Sequence, residues 1–262
     1  TFGTAAVADT DGSTDYNDVI FDSNLKRTVL LYQDSGESSY GKARVLASAA
    51  TYNVNSLTSE NFIGFAKDNV ADGAVATIQT ANSIARDNIQ TPSSTTAVGS
   101  AVVFESANSD YFSVIYDSDA QKVVIAYRDT DNSNYGTAIV GTVSGTDISF
   151  GSAVVFNSGG TERISGVYDS NAQKVVIAYR DGGNSDHGTA IVGTVSGTSI
   201  SFGSEVVFES ANTDYVSASY DVNAQKVVIA YQDNGNSSHG TAIVGTVSGT
   251  SISFGSAAVF ES

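Results

Sequence analysis

One eight-residue stretch, Ala-Gln-Lys-Val-Val-Ile-Ala-Tyr, occurs three times without change, at residues 120–127, 172–179 and 224–231. The spacing between copies is 52 residues both times. Each copy continues into Gly-Thr-Ala-Ile-Val-Gly-Thr-Val-Ser-Gly-Thr and then into Ile-Ser-Phe-Gly-Ser. Self-similarity at a fixed period of this size indicates structural repeats that stack on one another or close into a ring.

Each repeat is predicted to contain four short strands, named a to d in chain order. In the copy at 99–150, strands a, b and c are residues 111–117, 121–129 and 136–143, and strand d runs from residue 147 into the next copy. Turn-forming Asp, Asn, Ser and Gly residues separate them. Four strands in about 50 residues, repeated in tandem, are typical of β-propeller blades. We therefore predict an all-β fold, a β-propeller forming a single domain over residues 1–262.

The number of blades depends on how far the repeat extends toward the N-terminus. Residues 22–34 match residues 117–129 without a gap, which gives a fourth, diverged copy. Residues 47–98 match the repeat more weakly. We predict five blades, and the alternative is four blades plus an inserted β-rich module at 47–98. The five predicted inner strands begin near Tyr16, Asn61, Tyr111, Arg163 and Tyr215.

The stretch Leu-Thr-Ser-Glu-Asn-Phe-Ile-Gly-Phe at 57–65, followed by Ala-Asp-Gly-Ala at 71–74, resembles a small β-module of tail-fibre-like structural proteins of marine phages. The chain lacks the Gly-rich, Tyr-Tyr-Val continuation of that module after Gln90. The surrounding tandem repeats are similar to propeller repeats of marine phage and bacterial proteins. This resemblance implies a tail-fibre-like or adhesin-like protein with an extracellular or virion location.

Composition narrows the range of partners. Lys and Arg number 12 against 28 Asp and Glu, so the formal net charge is −16. Nucleic acids and anionic membranes bind through Lys and Arg, so we predict neither as a partner. No apolar run approaches the ~20 residues of a membrane span, and we predict no membrane insertion. The chain begins at Thr1, from which we expect a processed product or a piece of a longer protein.

No constellation of residues indicates catalysis or metal binding. A sialidase-like propeller needs a cluster of arginines at its axis, whereas this chain has Gln232 at the position that Arg128 and Arg180 occupy in other copies. The b–c loop at 129–133 has alternating oxygen ligands, as Ca²⁺ prefers, but its counterparts lose the second carboxylate. We predict no enzyme activity, no catalytic residue, no metal site and no cofactor.

Residues that all copies share are predicted to serve the scaffold. Tyr127, Tyr179 and Tyr231 close identical strands and are expected to fill the seam between neighbouring blades. Asp117, Asp169 and Asp221 are expected to cap the a–b turns.

Residues that differ between copies concentrate in the d–a and b–c connections, which we expect on a single face of the propeller. Such variation on a constant scaffold favours a recognition surface, and neutral drift in exposed loops is the alternative. The candidate ligand-binding residues are Tyr16, Tyr40, Asp110, Tyr111, Tyr135, Glu162, Arg163, His187, Asp214, Tyr215 and His239.

Aromatic side chains beside carboxylates and amides suit neutral sugars, because the sugar ring stacks while its hydroxyls form hydrogen bonds. A cell-surface protein would be an equally compatible partner. We predict a non-enzymatic, lectin-like or adhesive module. The alternative is a purely structural repeat protein of a filament or phage tail.

The two termini carry similar sequences, because residues 1–7 closely match residues 253–259. Only one of them can complete the last blade. The other could pair with a second copy and join molecules head to tail. The alternative is that the spare strand frays or packs on its own blade.

Overall fold

The computed structural model describes residues 14–35, 39–49, 65–66, 78–79 and 95–261. The described residues form strands joined by turns, with two single 3-10 turns at Gly182–Asn184 and Asn234–Asn236. The all-β class is confirmed. The strands are β1 (Thr14–Asp22), β2 (Arg27–Asp34), β3 (Tyr40–Ala49), β4 (Phe65–Ala66), β5 (Ile78–Gln79), β6 (Thr95–Val98), β7 (Val102–Asp117), β8 (Lys122–Asp129), β9 (Tyr135–Ser144), β10 (Asp147–Phe150), β11 (Val154–Asp169), β12 (Lys174–Asp181), β13 (His187–Ser196), β14 (Ser199–Phe202), β15 (Val206–Asp221), β16 (Lys226–Asp233), β17 (His239–Ser248), β18 (Ser251–Phe254) and β19 (Ala258–Glu261).

Contacts divide the chain into two compact units. One comprises residues 1–3 and 48–96, and its described part includes the two-stranded pair of β4 with β5. The second unit comprises residues 4–47 and 97–262. It carries four repeats: β1 to β3, β7 to β10, β11 to β14, and β15 to β19, which are called the first to fourth repeats below.

Strands d and a turn out to be continuous across each repeat boundary. The strands β7, β11 and β15 have 16 residues each. The first half of β11 pairs with β9 of the preceding repeat, and its second half pairs with β12 of its own repeat. No turn residue interrupts the 16 residues, so the expected d–a loops at residues 107–112 and their counterparts lie inside strands. The short strands β10, β14 and β18 add the remaining part of strand d.

The first repeat joins the second directly, because β3 pairs with β7 over Tyr40↔Asn108 to Ala43↔Val102. The short strand β6 belongs to the same sheet. Seventeen strands are connected into one antiparallel sheet. This sheet does not close on itself within the described part of the chain.

The C-terminal strands remain in their own repeat. Both β18 and β19 pair with β17, so strand d of the fourth repeat is complete. Residues 1–7, the other candidate for a spare terminal strand, lie outside the described residues.

Face-to-face packing between successive repeats forms the core. Alternate residues of a strand point to opposite faces of its sheet, so Val124 and Ala126 face the third repeat while Ile125 and Tyr127 face the first. The second and third repeats therefore each place a face of Val and Ala against larger Val, Ile and Tyr side chains of the next repeat, and in the first repeat Leu31 stands at the position of Ala126. The small faces of the second and third repeats are fully buried; they comprise Val124, Ala126, Ala138, Val140, Val176, Ala178, Ala190 and Val192.

An aromatic pair occupies each seam between repeats, as predicted for the tyrosines. The ring centroids of Phe104 and Tyr127 lie 5.4 Å apart, and those of Phe208 and Tyr231 lie 5.2 Å apart. The Tyr127 hydroxyl donates a 2.9 Å hydrogen bond to Glu105. Burial, together with the charge and hydrogen bond of Glu105, raises the pKa of Tyr127 far above its ordinary value. The seam tyrosine therefore stays protonated and anchored at neutral pH.

The phenylalanine of each aromatic pair packs directly over a glycine in strand c of the preceding repeat. A Cβ added at Gly136 would lie 2.5 Å from the Phe156 ring, and one at Gly188 would lie 2.4 Å from the Phe208 ring. Only glycine leaves room for a ring that is more than nine-tenths buried.

A cross-repeat hydrogen bond recurs beside the core. The Gly166 N–H donates to Ser113 Oγ of the preceding repeat, and the Ala218 N–H donates to Ser165 Oγ, both at 2.9 Å. In the first repeat Asp18 replaces this serine and accepts from the Val114 N–H at 2.7 Å. Desolvation raises the pKa of Asp18 and outweighs the opposing hydrogen bonds from Val114 and Val19.

The a–b turns are capped as predicted. Asp117 Oδ1 accepts hydrogen bonds from the main-chain N–H groups of Asp119 and Ala120, and Asp169 and Asp221 repeat this arrangement. These carboxylates therefore hold the hairpins that connect strands a and b.

We expect Gly188→Ala to lower the free energy of unfolding by about 1–3 kcal/mol, because the new Cβ overpacks the Phe208 ring. Urea denaturation followed by circular dichroism measures the change. The control is Gly197→Asn, since Gly197 has a φ of +62° that Asn tolerates and open space around it. Equal stability of the alanine variant and the wild type would contradict the tight packing.

We expect Asp18→Ser to raise the melting temperature at pH 7, because serine keeps an acceptor for the Val114 N–H and removes a half-buried carboxylate. The folded-state pKa of Asp18 is raised, so its ionised form costs stability above that pKa, and the cost disappears as pH falls toward the ordinary value of 3.8. The advantage of the variant should therefore be largest at neutral pH and shrink toward pH 4. Melting curves across this pH range test the prediction, and an advantage that grows on acidification would contradict it.

Candidate functional site

A β-bulge occurs at the same place in every repeat, near the start of strand a. In the second repeat the pairing passes from Asp110↔Arg128 to Ser113↔Ala126, so Tyr111 and Phe112 together oppose Tyr127. The third and fourth repeats have the same bulge at Arg163 and Tyr215. The first repeat has its register shift at the corresponding Tyr16. Four predicted site residues therefore occupy one structural position.

The bulge residues adopt a backbone conformation that non-glycine residues rarely use. The φ angles of Tyr111, Arg163 and Tyr215 are 50°, 52° and 51°. Other positive-φ residues, such as Gln225, lie in turns, whereas these three lie inside strands. Bulges of this kind normally place glycine at the left-handed position, because the conformation costs roughly 1–2 kcal/mol for a residue with a Cβ. Bulky side chains are therefore retained here despite strain.

A continuous chain of ion pairs lies beside the bulges and crosses from the second repeat to the third. Arg128 binds both carboxylate oxygens of Asp110, with a 2.6 Å bond from Nε, and reaches Glu162 at 3.2 Å through Nη1. Arg180 binds the other oxygen of Glu162 at 3.2 Å and Asp186 at 2.8 Å. We call these five residues the ion-pair chain.

The carboxylates of this chain keep the arginines charged. Burial alone would lower the pKa of Arg128, but the hydrogen bond and charge of Asp110 outweigh it and raise that pKa. For Arg180 the hydrogen bond to Asp186 is the largest influence and raises the pKa. The arginine charges are thus balanced within the protein.

Arg163 connects the two tyrosines of the bulge row, defined as Tyr111, Arg163 and Tyr215. Its guanidinium lies 5.5 Å from the Tyr111 ring centre and 5.3 Å from the Tyr215 ring centre, and its Nε donates to Asp214 at 2.5 Å. The Arg128 guanidinium lies 4.6 Å from the Tyr111 ring centre. Tyr215 is 68% exposed and offers an aromatic surface beside a cation and carboxylates.

The eleven predicted site residues therefore divide into two groups. Asp110, Glu162 and Asp214 precede the bulge residues and belong to the same connected surface. The second group stands at the start of strand c in each repeat and pairs with the aspartate that ends strand b. It comprises Tyr40, Tyr135, His187 and His239. Three of these four residues also pair with the strand that leads into the next bulge, as Tyr40 does with Asn108, Tyr135 with Gly160 and His187 with Asn212. The side chain of Tyr16 lies outside the described residues.

Three residues of the surface were missed in the sequence: Arg128, Arg180 and Asp186. Arg128 and Arg180 are the cross-strand partners of Asp110 and Glu162. Counting back along the a–b hairpin from Asp117↔Lys122 without the bulge would pair Asp110 with Asp129. The bulge instead pairs Asp110 with the oppositely charged Arg128. The bulge position is Tyr111 rather than glycine, so the sequence gives no sign of it.

The variable d–a and b–c segments do adjoin, as predicted, although the former lie within strands. The Thr130 N–H donates to the Asn108 carbonyl at 3.0 Å, and the Thr161 N–H donates to the Asn134 carbonyl at 3.0 Å. The aspartates at the start of the b–c turns accept main-chain hydrogen bonds, as Asp129 does from Asn132 and Asp181 from Gly183. In the described residues no three His, Asp or Glu side chains are grouped so as to hold a metal ion.

No protein-family model matches the chain, and no curated protein matches it. Within the described residues no helix has the length and apolar character needed to cross a membrane.

We expect Arg128→Gln to destabilise the fold by about 1–3 kcal/mol, because it leaves the mostly buried Asp110 carboxylate without its charged partner. Glutamine is the natural residue at this position in the fourth repeat, Gln232. The double variant Arg128→Gln/Asp110→Asn should regain most of the loss. A double-mutant cycle by urea denaturation measures the coupling, and additive effects of the two substitutions would contradict the pairing.

Proposed function

We propose that the chain is a non-enzymatic recognition module that binds glycans through the bulge row and its surroundings. The observation that carries this proposal is the repeated retention of Tyr, Arg and Tyr at left-handed bulge positions where glycine would cost less. Backbone strain of this kind concentrates at functional sites. The cost is explained if the side chains themselves are needed for binding.

The chemistry of this surface suits an uncharged sugar. Tyr215 supplies an exposed ring on which the CH face of a sugar can stack. Glu162 and Asp214 supply acceptors for sugar hydroxyls and are partly exposed. Because carboxylates already pair with Arg128, Arg163 and Arg180, an acidic sugar would have to displace them, and the net charge of −16 would repel it.

We further propose that the repeats are blades of a β-propeller. Four-stranded antiparallel units packed face to face, with the bulge row in strand a, support this proposal. Four blades plus an inserted module at 47–98 agree better with the pairing of β3 with β7 than five blades do. An extracellular or virion location is part of the proposal and rests on the resemblance of the repeats.

A purely structural role in a filament or tail is the competing proposal. The exposed Val244 and Phe260 of the fourth repeat favour it, because their counterparts in the other repeats are buried. A protein partner is also compatible with Tyr and Arg side chains. Binding experiments on isolated sugars separate glycan recognition from both.

We expect Tyr215→Gly to weaken binding to neutral glycans at least tenfold, because the stacking ring is lost, while stability is kept or increased by about 1–2 kcal/mol through relief of strain. A glycan array on the wild type selects the ligand, and titration calorimetry then compares the variants.

The matched control is Gln225→Gly, which relieves the same backbone strain in an exposed a–b turn without touching the bulge row. Tyr215→Phe should retain binding, since the ring is kept. A wild type that binds no glycan on the array, or a Tyr215→Gly variant with unchanged affinity, would overturn the proposal.

A further inference from the structure

The third repeat holds its seam tyrosine differently from the repeats on either side. In the second repeat Glu105 accepts hydrogen bonds from the Tyr127 hydroxyl at 2.9 Å and from the Ala107 N–H at 3.0 Å. Glu209 makes the same two contacts in the fourth repeat. The third repeat has Asn157 at this position, so it lacks the carboxylate that its neighbours share.

Two residues replace that glutamate in the third repeat. The Gly159 N–H donates to Asn157 Oδ1 at 2.7 Å, and the Tyr179 hydroxyl donates to Glu205 Oε1 at 2.9 Å. Glu205 lies in the connection between β14 and β15, and alanine stands at its counterparts 101, 153 and 257. The tyrosine therefore keeps a carboxylate partner, while a shorter side chain occupies the former place of the glutamate.

A polar pocket with a volume of about 330 Å³ lies between these residues. Its lining includes Asn157, Gly159, Asp181, Gly183, Asn184 and Glu205. Asn157 and Asp181 are more than nine-tenths buried, and Asn157 Nδ2 donates to Asp181 Oδ1 at 3.1 Å. The Gly183 N–H donates to the same oxygen at 3.0 Å. The wall of the pocket is therefore held in place by hydrogen bonds of its own.

Glycine on both sides of the pocket brings two segments of main chain close together. A Cβ added at Gly159 would lie 2.8 Å from the Gly183 Cα, and a Cβ added at Gly183 would lie equally close to the Gly159 Cα. The fourth repeat has Ala211 at the first of these positions. In the third repeat the main chain alone thus sets the spacing between β11 and the b–c turn.

The remaining polar atoms of the pocket suit hydroxyl groups. Among the described residues, no group donates a hydrogen bond to Asp181 Oδ2 or Glu205 Oε2, and Asn157 Nδ2 has a second hydrogen. Acceptors beside a donor match neighbouring hydroxyls of a sugar ring, since each hydroxyl both donates and accepts. No Lys or Arg is among the described residues that line the pocket, so its two carboxylates would repel an acidic group.

We propose that this pocket is a second subsite, which binds a neutral hexose unit of the glycan that the bulge row recognises. The proposal rests on the function proposed above, because it assigns the pocket to the same ligand. Gly159 lies four residues before Arg163 on β11, so at most about 14 Å separate their main chains. The pair Thr161↔Asp181 lies directly beside Glu162↔Arg180 of the ion-pair chain. A short oligosaccharide can therefore span both places.

Amide NMR spectra of the full chain test the pocket residue by residue. The probes are the methyl glycosides of glucose, galactose, mannose and N-acetylglucosamine, each added separately. We expect at least one of them to shift the amide signals of Gly159 and Gly183. The signal of Gly249 is the internal control and should not move, because this glycine stands in an open c–d turn with no other group near it.

The variant Asp181→Asn should weaken binding at the pocket about tenfold or more, because a charged hydrogen-bond acceptor is lost while Oδ1 still caps the turn. The matched control is Asp233→Asn, since Asp233 caps the corresponding turn of the fourth repeat and lies outside the pocket. This control should bind like the wild type.

The double variant Asn157→Glu/Glu205→Ala rebuilds the arrangement of the second and fourth repeats. The new glutamate fills the pocket and accepts from the Tyr179 hydroxyl, so we expect an unchanged circular dichroism spectrum and no shift of Gly159 or Gly183 on adding the glycosides. Undiminished sugar binding at the pocket in this variant would overturn the proposal.

The location of the shifts separates the second subsite from the bulge row. Shifts around Tyr215 alone would overturn the second subsite and leave the bulge row as the binding site. Pocket shifts that the double variant abolishes would support the second subsite, and an unchanged affinity of Tyr215→Gly would then remove only the bulge row. A response of Gly159 and Gly183 to calcium chloride but to none of the glycosides would also overturn the proposal, because the carboxylates would then hold a cation.

Discussion

Face-to-face packing of a small-residue face on a large-residue face is the constraint on which the rest of the structure depends. Ala126 and Ala138 leave space that Tyr179 and Ile177 of the next repeat occupy, and all four side chains are fully buried. The repeats are too thin to bury apolar surface on their own, so stability accumulates at the interfaces between them. This is why the strand with the sequence Val-Val-Ile-Ala-Tyr is copied without change, since both of its faces lie in a core.

Continuous 16-residue strands determine how consecutive repeats are joined. A strand such as β11 belongs to the sheet of one repeat in its first half and to that of the next in its second half. The change of direction occurs at register shifts and at the bulge rather than in a loop. The bulge residue is consequently held on both sides by paired strands, and this support allows Tyr111, Arg163 and Tyr215 to keep a conformation that would be unfavourable in an isolated segment.

Much of this could be predicted from sequence, because a periodic pattern specifies strands and their faces. The four strands of each repeat, the capping Asp117 and the seam Tyr127 all follow from short-range chemistry that the copies share. The continuity of strands d and a could not be predicted, because Asn and Ser near residues 107–110 suggest a turn but also fit a strand edge. The pairing of Arg128 with Asp110 depends on a bulge of one residue, and no local signal separates a bulged from a regular register when the bulge lacks glycine.

The candidate site lies at positions that differ between repeats, whereas the core lies at positions that the repeats share. A core residue such as Gly188 touches the buried Phe208 ring and cannot change in one copy without a compensating change in the next repeat. A bulge residue has its backbone fixed by neighbours while its side chain reaches solvent, so each copy can carry a different group at no cost to the core. The row Tyr111, Arg163, Tyr215 thus combines constant geometry with variable chemistry, and these are the two properties that a recognition surface requires. The ion-pair chain adds rigidity, because Glu162 links arginines of two repeats and fixes the spacing between adjacent bulges.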